Sequence, residues 1–209
     1  MTYGAPQDAG DVPGYLARVR GGREPAQELV TEFVSRYERI GWSPLVRITA
    51  AQADALGSAL GDGWSVAAGM RFSQPSVRDA VGTLGSVYRI VGLILSPQFS
   101  PLLMSGYGAA LSDAAGGVPV TLVTAWHREP ASIVFPEIAA SGAREVLVVP
   151  VQFLSDHLEV LFDLDIATAA EAEAHGLRYR RIRMPNTDPR FIAAFAEIAL
   201  GAVGEPVVL

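Results

Sequence analysis

The feature that most constrains this chain is its rhythm. From residue 64 onward, short apolar runs alternate with longer segments of helical periodicity. The runs at 64–70, 89–95, 118–124, 145–151 and 178–183 predict strands. The segments at 75–86, 101–115, 168–175 and 188–200, with two more beginning near Pro130 and Ser155, predict helices, and Pro136 must kink or end the helix it falls in. Strands separated by helices of about ten or more residues pair through crossovers, which makes the sheet parallel. Residues 91–95 contain no polar side chain, as expected of a sheet covered on both faces. The expected class is α/β, with doubly wound parallel sheets.

Two helices precede this rhythm. Residues 26–40 place Leu29, Val30, Phe33, Val34, Tyr37 and Ile40 on one stripe, with Pro25 suited to the helix start. Glu32 and Arg36 pair one turn apart on another face. Gly41-Trp42-Ser43-Pro44 breaks the helix, and a second runs over 48–60 to Gly61-Asp62-Gly63. Only Met1 and Thr2 precede Tyr3-Gly4, so the strand that ordinarily opens such a domain is expected either to be missing or to lie upstream of Met1.

Composition narrows the function classes. A net charge of −6, from 16 basic and 22 acidic side chains, argues against a phosphate-binding face and so against nucleic acid as partner. The absence of cysteine excludes disulfides, cysteinyl zinc sites and cysteine-ligated clusters, and fits a cytoplasmic location. The opening residues have neither a basic nor an apolar signal region, and the longest apolar runs fall far short of the roughly 20 residues of a membrane span. A soluble protein without a transmembrane segment is expected.

Chemistry concentrates between Val149 and Asp165, where an apolar strand runs into a helix carrying Asp156, His157, Glu159, Asp163 and Asp165. Ligands of open α/β sheets bind outside the carboxyl ends of strands. On a helix Glu159 and Asp163 share a face, an arrangement suited to a hydrated divalent cation or to a proton relay. The same residues also read as a capped helix start, with Ser155 and Asp156 at the N-terminus and the remaining acids solvated.

The run from Pro150 to Asp165 is similar to the ferrochelatase signature, a Pro-containing strand leading into a helix with H-x-E and a trailing acid. Tyr3-Gly4-Ala5-Pro6 resembles that family's opening YGxP loop, and Val19-Arg20-Gly21-Gly22-Arg23 its basic segment after the first helix. Residues 36–45 resemble RYxxIGGxSPL, one residue short. Gly69-Met70-Arg71-Phe72, the 95–100 run, Tyr107, the 126–130 run, Tyr179-Arg180-Arg181 and the 185–192 run follow in the family's order. The resemblance implies a chelatase-like fold with a first domain over 1–129 and a reduced second domain over 130–209. It implies proton removal from the pyrrole nitrogens by Glu159 with His157 beside it. Porphyrin contacts would come from Tyr3, Val19, Arg20, Ser43 and Tyr107, and metal contacts from Tyr3, His157, Glu159 and Asp163. Fe²⁺ would be a substrate, with no cofactor required, and coproporphyrin III or protoporphyrin IX the macrocycle.

The sequence also departs from the family. Between the helix after Trp126 and the strand at Glu145 ferrochelatases carry a long insertion that includes an S-x-H-x-x-P-type motif, whose histidine is the other half of the metal site. This chain has only His127, His157 and His175, none in that context. His127 and His175 read as surface histidines. Ala167 stands where the family's row of acids often continues. The alternative function is therefore a ferrochelatase-like porphyrin- or heme-binding protein that inserts no metal. Arg20, Arg23 and Arg71 lie in loops expected to meet propionates, whereas Arg178, Arg180, Arg181 and Arg183 read as charges guarding an edge strand. The two strands left in the shortened half are too few for a core of their own, so they are expected to join the first sheet or to pair across a homodimer.

Overall fold

The computed structural model describes residues 1–95, 101–123, 144–150 and 153–202. The 129/130 division, the segment from Pro130 and residues 126–130 with His127 lie outside them. The elements are α1 (Val12–Val19), α2 (Gln27–Arg39), α3 (Leu45–Leu60), α4 (Val77–Thr83), β1 (Ile90–Leu93), α5 (Pro101–Ala114), β2 (Val120–Val123), β3 (Glu145–Val148), α6 (Glu159–Thr168), α7 (Ala169–Ala174), β4 (Arg178–Arg181) and α8 (Pro189–Ala202). Both strand pairs are parallel, β1 with β2 from Ile90↔Val120 to Leu93↔Val123, and β3 with β4 from Glu145↔Arg178 to Val148↔Arg181. The parallel α/β class expected from the sequence is what the chain adopts.

Helices cover β1 on both faces. Ile90 packs with Val77, Leu111 and Ala115 on one side, while Leu93 packs with Leu56 and Phe195 on the other. The C-terminal helix α8 thus crosses to the first half of the chain and lies on α3, burying Ile192, Phe195 and Ala196.

Three sequence expectations need correction. The segment 64–69 is extended but forms no ladder among the described residues, and only Met70 makes bridges, to Thr2 and Ser76. Where a strand was expected to feed the Tyr3 loop, Met1 and Thr2 make strand-like hydrogen bonds on two sides. Thr2 N–H donates to Gly69 O (3.2 Å), and Thr2 O accepts from Arg71 N–H (3.0 Å). On the other side the Met1 amine donates to Leu93 O (2.6 Å), and Met1 O accepts from Leu95 N–H (2.9 Å). Burial pushes that amine down to about 5. Finally, among the described residues β3 and β4 pair with each other and do not join the first sheet. The α6–α7 crossover returns the chain parallel to β3, so the two strands satisfy each other and pack Val146 and Val148 on Ala172 and Leu177. Their other face leaves Leu147, Val149 and Ile182 exposed.

The helix α1 was not foreseen. Its stripe of Val12, Tyr15, Leu16 and Val19 has the i, i+3, i+4, i+7 spacing of a buried helix face, but extends over only two turns.

Candidate active site

The site is built on loops leaving the carboxyl ends of extended segments, and its first wall is the Tyr3 loop. Gly4 has φ +90°, and a Cβ there would meet Ser73 Oγ at 2.1 Å, so the turn requires glycine. The loop is stapled on two sides. Ala5 N–H donates to Ser73 Oγ (3.2 Å), Phe72 N–H to Tyr3 O (3.0 Å), and Tyr15 Oη–H to Gly4 O (3.2 Å). The half-buried Tyr3 ring meets Phe72 edge-on at 4.6 Å.

Arg71 lies over both Phe72 (4.8 Å) and Tyr107 (5.5 Å). It can do so because residue 106 is glycine, since a Cβ there would lie 2.0 Å from a guanidinium nitrogen. Tyr107 is buried with Ile94 and Met104 beneath Tyr3, so it floors the site and offers no open ring face. Burial holds its phenol above the ordinary tyrosine range, with Arg71 pulling the other way.

The second wall is the α6 start. Leu158 belongs to one apolar cluster with Tyr15, Leu16, Tyr37, Val19, Trp42 and Phe72, which brings the Tyr3 side and the His157–Glu159 side together. Tyr15 stands between them. Burial, then the charges of Tyr37, Tyr3, Glu159 and Tyr107 in that order, keep its phenol protonated. His157 Nδ1 lies 3.7 Å from Glu159 Oε2, beyond hydrogen-bond length but within ion-pair reach if the ring is charged. Its ring is edge-on to Phe153 at 4.4 Å. Burial pushes the imidazole down to about 4 against the opposing pull of Asp156, so it is neutral near pH 7.

The Glu159 side chain is 61 % exposed. Neighbouring protein nevertheless displaces part of its hydration and, with the charge of Asp163 second, holds its pKa above the usual carboxylate value.

The remaining residues distribute unevenly. Val19 packs half-buried in the cluster, whereas Arg20 and Arg23 are exposed at the α1 C-terminus, where Arg23 Nε donates to Arg20 O (3.3 Å). Ser43 Oγ accepts from Leu45 N–H (3.3 Å), which helps start α3 three residues earlier than the sequence suggests. Trp42, at φ 70°, stacks on Tyr37 with centroids 5.7 Å apart. Asp163 lies 3.6 Å from Arg36 Nη1, and Nη2 of the same guanidinium holds Glu32. Among the described residues, no three His, Asp or Glu side chains gather as a cation site.

α6 is wound with i→i+5 hydrogen bonds over ten residues, and Glu159 and Asp163 remain neighbours on it, with the charge of Asp163 acting on Glu159. One reading changes here. Arg181 does not guard an open edge, because its side chain is 12 % exposed and grips Asp165 with Nε (2.6 Å) and Nη2 (2.7 Å). Sequence reasoning passed over Tyr15, although the short α1 stripe carried its signal.

Fold and site together define a parallel α/β protein in which an imidazole–carboxylate pair adjoins an aromatic cluster. The ferrochelatase family profile matches residues 1–135 and 126–202. The chain belongs to the ferrochelatase family. It is 26% identical to the coproporphyrin III ferrochelatase of Geobacillus sp. (strain WCH70), over 96% of this chain and 95% of that protein. It is 27% identical to the ferrochelatase of Deinococcus radiodurans, over 95% and 93%, and 25% identical to the coproporphyrin III ferrochelatase of Bacillus subtilis (strain 168), over 98% and 96%. The first of these alignments runs over 295 positions while this chain has 209 residues, so the relative carries positions that this chain lacks. The two profile matches meet at 126–135, where the sequence departs from the family's pattern.

Among the described residues, no helix is long and apolar enough to cross a membrane. A cavity of about 470 Å³ opens beside Met1, lined by Leu56, Val66, Leu84, Leu93 and Phe195 among others. None of the residues expected to touch porphyrin or metal lines it.

Proposed function

We propose that this protein is a cytoplasmic porphyrin metal chelatase of heme biosynthesis, inserting Fe²⁺ into coproporphyrin III or protoporphyrin IX. The observation that carries this reading is the His157–Glu159 pair beside Leu158, whose apolar cluster includes Tyr15 and Phe72, the residues that hold the Tyr3 loop. Insertion exchanges two pyrrole N–H protons for one divalent metal, so the chain must accept protons beside the macrocycle. Glu159, a carboxylate with a raised pKa, is the first acceptor. His157 enters neutral and so has a free nitrogen to take or pass on a proton. Tyr3 is the candidate metal contact from the opposite wall, and Asp163 the next acid along α6. Val19 and Ser43 would border the macrocycle, Tyr107 support it from below, and Arg20 and Arg71 meet its propionates.

A second reading is favoured by the missing motif and by the lack of a gathered cation site among the described residues. In that reading the chain binds a porphyrin or heme without inserting metal. Zinc insertion followed by porphyrin fluorescence, set beside binding alone, separates the two. Binding without metallation selects the second.

Binding itself is expected in either case. Titration with coproporphyrin III or protoporphyrin IX should shift the Soret band, and affinity should fall with added salt because Arg20 is exposed. A titration with neither a Soret nor a fluorescence change removes both readings.

The exposed Leu147, Val149 and Ile182 also support a homodimer packed through the outer face of the β3–β4 pair. Light scattering should then give twice the mass of one chain, and Leu147→Glu should return it to the monomer.

A further inference from the structure

We infer that Asn186, backed by Gln52, is a positioning residue that fixes the turn carrying His157 and Glu159. This rests on the chelatase reading. The turn at 154–156 lies between β3 and α6 and belongs to neither element, and just before it Phe153 N–H reaches Pro150 O at 3.5 Å. Asn186 holds this turn. Its backbone N–H donates to Leu154 O (3.0 Å), its Oδ1 accepts from Asp156 N–H (2.9 Å), and its Nδ2 donates to Asp156 Oδ2 (2.9 Å). One side chain thus grips both the backbone and the carboxylate of the residue immediately before His157, and the two bonds together set the orientation of the amide.

Asn186 is itself held. Gln52 Nε2 donates to Asn186 O (2.6 Å), and Gln52 Oε1 accepts from Ser155 Oγ–H (3.3 Å). Gln52 and Ser155 are both buried, at 2 % and 4 % exposure, so each depends on the other for its hydrogen bonds. The result is a closed polar ring joining α3, the 154–156 turn and the 186 turn. Asn186 adopts φ 47°, a left-handed conformation open to Asn and Gly but strained for most side chains. Asp156 Oδ1 has no hydrogen-bond partner among the described residues and lies 3.8 Å from Arg181 Nη2, so Asn186 is the direct partner of this carboxylate. Networks of this kind hold geometry because each bond depends on the others.

The test uses zinc insertion by the full chain. Asn186→Gly keeps the left-handed backbone and deletes only the side-chain bonds. It should lower kcat by about 10- to 100-fold, the usual cost of losing a group that orients a reacting one. KM for the porphyrin should stay within about twofold, since no propionate contact is touched. Asp156→Asn combined with Asn186→Asp exchanges donor and acceptor and rebuilds the pair, so it should recover most of the lost kcat. A wild-type kcat in Asn186→Gly overturns the inference, as does failure of the combined exchange to recover activity beyond either single change. A wild-type protein that inserts no zinc overturns the chelatase reading and this one with it, and is told apart by that first measurement.

Discussion

Glu159→Gln should lower metal insertion by about 10² to 10⁴, the range expected when a positioned general base is lost. The substitution keeps the shape of the side chain and its capacity to accept a hydrogen bond, and removes only the charge that takes the proton. Glu159 occupies the first turn of α6, so losing its charge costs the fold at most about 1 kcal/mol through the helix dipole. Porphyrin affinity should hardly change, because the propionates bind elsewhere. The pH profile adds an independent check. A base works only when ionised, so activity should fall as pH drops through the Glu159 pKa. That acid limb should lie above the ordinary carboxylate range, because burial and Asp163 raise the pKa, and should vanish in the variant. Insertion by Glu159→Gln at close to the wild-type rate would show that another group takes the protons.

Phe195→Ala should be the most destabilising single truncation among the α8 contacts. Phe195 is 1 % exposed, packs on Phe191 at 4.2 Å between centroids, and shares a cluster with Leu56 and Ile192. Truncating a buried phenylalanine removes its transfer energy and leaves a cavity, together costing about 3–5 kcal/mol. Against a typical total of about 5–15 kcal/mol this is a large share, and for a chain of this size it lowers Tm by roughly 6–20 °C. Both halves should lose structure together, since α8 comes from the end of the chain and packs on α3 and β1 near its beginning. A Tm within a degree or two of wild type would mean that α8 is not part of this core.

Much of the fold was legible because it is local. The stripe of Leu29, Phe33 and Tyr37 and the apolar run at 90–93 state a helix and a buried strand without reference to anything distant. α3 starts earlier than periodicity suggests, at Leu45, whose N–H meets Ser43 Oγ, and α1 was missed because two turns give little periodicity to read. The segment 64–69 has strand composition, yet a strand exists only where a neighbour completes its hydrogen bonds, and that depends on the rest of the chain.

The site divides in the same way. The sequence by itself determined the chemistry available: an imidazole and a carboxylate two residues apart after a strand, an aromatic-glycine loop near the start, and only three histidines in all. Those are matters of identity and order, which need no coordinates. Tertiary structure alone decided how these groups meet. It placed Tyr15 between the Tyr3 loop and Glu159, buried Tyr107 as a floor, turned Asp163 toward Arg36 and Arg181 toward Asp165, and pinned the His157 turn from Asn186 and Gln52. Each of these depends on side chains distant in sequence closing on one another, and no local pattern records which of several satisfactory partners a buried polar group will find.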